Sequence, residues 1–409
     1  MFPHPSRRGA RWALVAFLSL GFSFSRAATP AAPVPIWPAT AAGAAKSAVQ
    51  PFLPAAVKHT GGAVLIVAAA DGPASDVAPL AGWLSERGIA AFVLKLSLAG
   101  NDPAPAAGET ARALQYLRAR AADFKISPKR IALLGYARGA VVAGEAAYNR
   151  VLDAKADATD PIERVSSRPD LVALIWGATT TLPSGPDLKF PPTFLVGSTK
   201  TEDNLSPMIE LWNKLRAVRS SVDAHFFAQA DLKTVLAQDN ESIGTWPEMF
   251  YNWSRVSGLL TDEPRLPIKG MVYLDGAPIP HGYVILTPVD FVGAGPIVGR
   301  VFNSTANEPM GYFSVIARLG PIAGRYKVDV RQNMNRWLSN GFTGGLTGGR
   351  GGQVTPEQAH FGHHRLLNPT IDDQKSFTKV RPSDRTDYIV EIKPDPAANL
   401  DLKIEVFSK

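Results

Sequence analysis

From Gly61 to Leu260, apolar runs of strand length alternate with amphipathic stretches of helix length, the rhythm of a parallel sheet with crossover helices. The runs Ala63–Ala69, Ala90–Leu96, Arg130–Leu134, Leu171–Trp176, Thr193–Gly197 and Val222–Phe227 predict strands. Between them Val77–Glu86, Glu109–Phe124, Ala140–Leu152 and Leu205–Val218 predict helices, and Pro247–Leu260 adds a last one. Glu109–Phe124 is the clearest: Ala113, Leu117, Ala121 and Phe124 share one face, while Arg112, Arg118, Arg120 and Asp123 lie elsewhere. Past Thr261–Ile268, which has the Pro and charge content of a linker, the period changes to two. Gly270–Leu274, Gly282–Thr287, Phe313–Ala317, Arg325–Val330, Asp387–Ile392 and Leu400–Val406 alternate apolar and polar residues, with Asp275-Gly276 as a hairpin signal. The pattern therefore predicts an α/β domain over 57–262, a linker at 263–268 and a small all-β sandwich over 269–409. An irregular insert from about Asn335 to Phe377 carries the Gly-rich tract 340–352.

The two ends of the first 56 residues read differently. Arg7, Arg8 and Arg11 precede the apolar run Trp12–Phe24, and Ser25-Arg26-Ala27 offers small residues where a signal peptidase reads. We expect a signal peptide over 1–27 and an exported protein, periplasmic or extracellular; the alternative is an uncleaved membrane-anchoring helix. The run is short for a membrane span. Residues 28–56 are rich in Ala and Pro and read as an extended leader with little structure of its own. The chain's formal charge of +7 falls to +3 without the four arginines of the signal, too little to argue for a nucleic-acid surface. The 409 residues contain no cysteine, which excludes disulfides, thiolate metal sites and a cysteine nucleophile.

The strand at Arg130–Leu134 runs into Gly135-Tyr136-Ala137-Arg138-Gly139 and then a helix of small residues. That is the strand–turn–helix setting of a nucleophile elbow, G-x-S-x-G, in which the middle residue is pushed to positive φ and held above the sheet. Here the middle residue is Ala137, and a methyl group cannot attack a carbonyl.

Together with WLSERGIAAFVLK (83–95), ARALQYLRARAADFKISPKRIALLGYARGA (111–140), RPDLVALIWG (168–177), PPTFLVGS (191–198) and WPEMFYNW (246–253), this turn resembles the acetylxylan-esterase-like, or dienelactone-hydrolase-like, branch of the α/β-hydrolase fold. The resemblance covers about 200 residues. It implies ester hydrolysis, often of acetyl groups on polysaccharide, by a Ser-His-Asp triad and an oxyanion hole. This chain departs from that pattern at each point. The nucleophile position holds Ala137, and no serine lies between Lys129 and Val165. The acid position falls at Thr201, with Glu202 and Asp203 just beyond. The histidine position falls at Leu232, and no histidine stands between His225 and His281. The loop after the first strand, where the oxyanion hole belongs, reads Ala69-Ala70-Asp71-Gly72, and Asp71 would set a negative charge where an oxyanion forms. A triad acts as a unit, so the expectation is a pseudoenzyme with no catalytic residues.

Rival sites have plainer readings beside them. Ser198, Thr199 or Thr201, or Asp71 with Asp203, stand where α/β sheets gather catalytic groups, and equally where turns and helix caps need them. Arg138 follows the elbow and is a candidate to bind a carboxylate or sulfate of a sugar polymer, or else to form an ion pair with Asp71. His360, His363 and His364 lie close together, but their spacing matches no metal motif; exposed or locally bonded histidines fit better. The Gly-rich tract lacks the ending of a phosphate loop, so neither a nucleotide nor any other cofactor is implied. KGMVYLDGAPIPHGYVILTP (269–288), GYFSV (311–315) and AGRYKVDV (323–330) resemble transthyretin-like or carboxypeptidase-regulatory-like β-sandwich modules, which are usually non-catalytic attachments. Trp337, Phe342 and Phe361 of the insert are candidates to stack on sugar rings or to pack beneath the loop. The leading expectation is a non-catalytic exported protein whose old cleft binds polysaccharide or another envelope component. The alternatives are an active carboxylic-ester hydrolase with a relocated site and a purely structural envelope protein.

Overall fold

A computed structural model describes residues 30–38, 47–70, 76–97, 102–184, 189–200, 202–228, 243–280, 282–289, 296–302, 308–333, 374–377 and 388–406. The strand runs of the first half build one sheet: β1 (Val34–Pro35), β2 (Ala48–Phe52), β3 (Ala63–Ala69), β4 (Ala90–Leu96), β5 (Ile131–Tyr136), β6 (Leu171–Ile175), β7 (Thr193–Ser198) and β8 (Val222–Phe227). Their spatial order is β1-β2-β4-β3-β5-β6-β7-β8, parallel from β4 to β8 and antiparallel at the β1–β2–β4 edge. Helices α1 (Ala78–Glu86), α2 (Ala104–Ala119), α3 (Arg138–Gly144), α4 (Glu202–Ala217) and α5 (Trp246–Val256) cover it.

Because both faces are covered, successive residues of each central strand are apolar and bury on opposite sides. Leu65, Val67, Phe92 and Leu94 pack toward α2, α3 and α4 through Leu114, Val142 and Leu211. Val64, Ile66, Ala91 and Val93 pack toward α1 and α5 through Leu84, Trp246 and Phe250. This is a mostly parallel sheet with helices on both faces, the α/β architecture that the sequence pattern predicts.

The expected leader is partly wrong: residues 30–38 and 47–52 belong to the fold. Val49 and Phe52 are buried, Pro51 lies opposite Phe92, and Ile36 is buried against the sheet. Arg112, only 3% exposed on α2, donates from Nε to the Ile36 carbonyl at 3.2 Å and lies 4.5 Å from the Trp37 ring centre. Its Nη2 reaches Asp160 Oδ2 at 2.5 Å, and Trp37 Nε1 donates to Glu109 Oε2 at 2.7 Å. Helix α2 begins five residues earlier than the periodicity places it. Pro105 sits in its first turn, where a missing N–H costs nothing, and Asp102 Oδ1 accepts the Ala104 N–H at 2.9 Å. Helix α3 likewise starts at Arg138, directly off the turn, and passes into one π-helical turn, Glu145–Asn149.

The second half forms an antiparallel sheet folded over one core: β9 (Ile268–Leu274), β10 (Ala277–Pro278), β11 (Gly282–Pro288), β12 (Ile297–Val301), β13 (Tyr312–Val315), β14 (Gly324–Asn333), β15 (Gln374–Phe377), β16 (Ile389–Ile392) and β17 (Leu402–Val406). Strand β17 joins β9 in parallel. Inward residues such as Val272, Val284, Phe313, Val328 and Ile404 make the core. Asp275 and Gly276 both take positive φ, 52° and 81°, and close the β9–β10 hairpin. Tyr326 is 1% exposed and its hydroxyl both donates to the Ile322 carbonyl and accepts the Ile322 N–H, at 3.0 and 3.1 Å. Strand β12 is one the sequence pattern does not single out. Strand β15 falls inside the expected irregular insert, most of which lies outside the described residues.

The segment expected as a linker is bonded on both sides. Arg265 donates to the Gly320 carbonyl from Nη1 and to the Arg255 carbonyl from Nη2, both at 2.9 Å, and the Leu266 N–H donates to the Pro321 carbonyl at 2.7 Å. Burial pulls the Arg265 guanidinium down to about 10, with the neighbouring Arg255 adding to the shift.

Candidate functional site

The turn from β5 into α3 has the geometry its glycines promise. Ala137 adopts φ 54° and ψ −121°, a conformation that L residues other than glycine rarely hold. Its N–H donates to the Ile175 carbonyl at 2.8 Å, which ties the apex of the turn to the next strand. The flanking positions admit no side chain. A Cβ at Gly135 would stand 2.5 Å from Ala140 Cα, and one at Gly139 would stand 2.2 Å from the Val67 carbonyl oxygen. Strand, turn and helix therefore touch backbone to backbone.

One neighbour was not singled out from the sequence. Trp176, at the end of β6, also has positive φ, 66°, with its N–H donating to the Val196 carbonyl at 2.7 Å and its side chain 4% exposed. A Cβ at the following Gly177 would lie 2.8 Å from the Ala137 carbonyl oxygen. The only sequence signal for this support is a Trp-Gly pair closing an apolar strand.

The other expected positions divide in two. Ala69 ends β3, and the Ala70 N–H donates to the Leu96 carbonyl at 2.8 Å, extending the β3–β4 ladder instead of pointing at a ligand. Arg138 is the first residue of α3 and is exposed. Ser198, at the end of β7, is fully buried, and its Oγ accepts the Lys200 N–H at 3.0 Å, the turn role that was its plainer reading. Asp203 lies in the first turn of α4. Asp71, Thr201, Leu232, His281, His360, His363, His364, Trp337, Phe342 and Phe361 lie outside the described residues.

His225 sits in the middle of β8, opposite Val196, rather than at a strand end. Its ring packs 5.0 Å from Phe194 in a cluster with Phe250 and Trp253. Burial lowers its pKa, while Asp223, 3.6 Å away, raises it in part. This is a histidine of the aromatic core. Among the described residues, no group of His, Asp and Glu is placed to hold a metal ion, and no helix is long and apolar enough to cross a membrane.

No protein-family model matches this chain, and no curated protein sequence matches it. Solved structures do. The acetyl ester-xyloside bifunctional hydrolase from Caldicellulosiruptor lactoaceticus is 22% identical, with 56% of this chain and 97% of that chain covered at a TM-score of 0.48. Esterase Est2 from the Planctomycetes species Thermogutta terrifontis is 14% identical, with 57% of this chain and 94% of that chain covered at a TM-score of 0.46.

Proposed function

We propose that this is an exported, non-catalytic protein of the α/β-hydrolase fold that binds polysaccharide of the cell envelope. The observation that carries the reading is Ala137 at the apex of the β5–α3 turn. Acyl transfer on this architecture needs a nucleophile there, activated by a histidine and completed by an acid. A methyl group has no lone pair to offer, and no histidine stands between 226 and 280 to activate one. The turn nevertheless keeps the positive φ that costs on the order of 1–3 kcal/mol. Retaining that geometry without its chemistry fits a fold kept for a role other than hydrolysis.

A relocated nucleophile has little support. Ser198 is the serine nearest the expected acid strand's mouth, and its hydroxyl is buried and engaged by the Lys200 N–H.

An activity-based fluorophosphonate probe and a glycan pull-down test the two halves of the proposal. The intact chain is expected to leave the probe unreacted and to be retained by an insoluble envelope or plant polysaccharide. Covalent labelling that disappears on heat denaturation would restore a working hydrolase, and failure to bind any glycan would remove the binding role.

A further inference from the structure

The outer face of the second sheet carries a pattern that the elbow does not use. Alternate residues of β9, β11, β12 and β13 bury in the core, and their partners point to solvent. In the register of the sheet, Tyr283 stands directly opposite Arg300, Ile285 opposite Val298, and Tyr312 opposite Met271. The Phe302 N–H donates to the Tyr312 carbonyl at 2.9 Å, which sets Phe302 and Tyr312 side by side. Phe302 is 37% and Val298 42% exposed. The Arg300 guanidinium lies 5.3 Å from the Phe302 ring centre, and at the far edge Lys403 Nζ lies 5.3 Å from that of Tyr273. Adjacent strands are about 4.8 Å apart, so these rings and cations form one continuous platform.

We infer that this platform, Tyr283, Arg300, Phe302 and Tyr312, is a binding surface for an acidic polysaccharide. The inference rests on the polysaccharide reading above and assigns the ligand to a different surface from the elbow. Aromatic faces accept the C–H side of sugar rings, and tyrosine hydroxyls bond to sugar hydroxyls. A guanidinium matches a carboxylate with two parallel hydrogen bonds. Lys403 and Glu405 beside Tyr273 are residue types of which the core of a protein interface is depleted, which argues against a protein partner there. Asp329 and Glu405 share the face, the first paired with Arg331 at 2.8 Å. Those carboxylates oppose the dense phosphates of a nucleic acid, and a glycan with a more widely spaced charge accommodates them.

The experiment measures retention of the intact chain by affinity electrophoresis in polygalacturonate, neutral xylan and a poly-dT oligonucleotide. Three proteins are compared: wild type, Tyr283→Ala with Arg300→Ala, and Arg138→Ala. Arg300→Gln alone is the milder variant if the double one unfolds. The expected result is retention by polygalacturonate that weakens at least tenfold in the face variants at unchanged melting temperature, that persists in Arg138→Ala, and that exceeds retention by xylan. Face variants that bind like wild type, or loss in Arg138→Ala alone, would move the ligand to the elbow and overturn this inference while leaving the polysaccharide reading standing. Equal or stronger retention by xylan would overturn the acidic preference. Tighter retention by the oligonucleotide would replace the glycan, and no retention by either glycan would remove both proposals.

Discussion

Ala137 holds a backbone conformation that a glycine adopts freely, so the two residues can be compared at that position. Replacing it by glycine relieves strain of about 1–3 kcal/mol and costs about 0.4–1 kcal/mol through the freer unfolded chain. Ala137→Gly is therefore expected to stabilise the protein by about 1 kcal/mol in urea unfolding; a destabilised variant would mean that the methyl's packing outweighs the strain. His225 and His59 give a second prediction at this scale. Burial holds both pKa values below the ordinary 6.5, with Asp223 opposing the shift at His225. The folded state thus binds protons less readily than the unfolded one, and ΔG of unfolding is full above about pH 6.5 and falls as pH drops through that value. His225→Phe keeps an aromatic ring against Phe194 and is expected to flatten the loss measured between pH 7.5 and 5.5. An unchanged pH slope would show that His225 is not part of it. The elbow was legible at this scale because its glycines are demanded by backbone contact. The positive φ of Trp176 was not, since nothing in a Trp-Gly pair distinguishes it from an ordinary strand end.

At the scale of elements, continuous apolar runs were easy to read. Ala63–Ala69, Ala90–Leu96 and Val222–Phe227 form strands over those same residues. Strand β2 was hidden because Pro51 and the small residues around it look like linker, and proline is tolerated near an edge where the ladder is thin. Its neighbours Ile36 and Trp37 are held by Arg112 on α2, a long-range partnership that local periodicity cannot show. Removing residues 1–56 is accordingly expected to uncover the β4 edge and strip buried Arg112 of the Ile36 carbonyl and the Trp37 ring, leaving it Asp160. The truncated protein should aggregate or elute as large species in size-exclusion chromatography. A monodisperse, cooperatively folded 57–409 would contradict the role given to this segment.

For the whole molecule, the order of strands and the joint between the two sheets were beyond the sequence, because both depend on contacts between distant residues. Arg265 connects the end of α5 with the Gly320 turn of the second sheet, and Arg130 donates to the Thr60 and Leu259 carbonyls while its Nε lies 3.2 Å from Asp262. Scanning calorimetry is expected to show one unfolding transition for the intact protein and two for Arg265→Ala, which loses both guanidinium bonds across the joint. Two transitions in the wild type would mean that the sheets unfold independently despite those bonds.

The central claim, a hydrolase architecture without hydrolysis, is tested most directly by acetate release from acetylated xylan and from an aryl acetate. The assay compares the intact wild type with Ala137→Ser. Neither is expected to exceed a heat-denatured control, because no histidine stands between 226 and 280 to activate a serine placed at 137. Saturable release by the wild type would place a working nucleophile elsewhere in the chain and contradict the account.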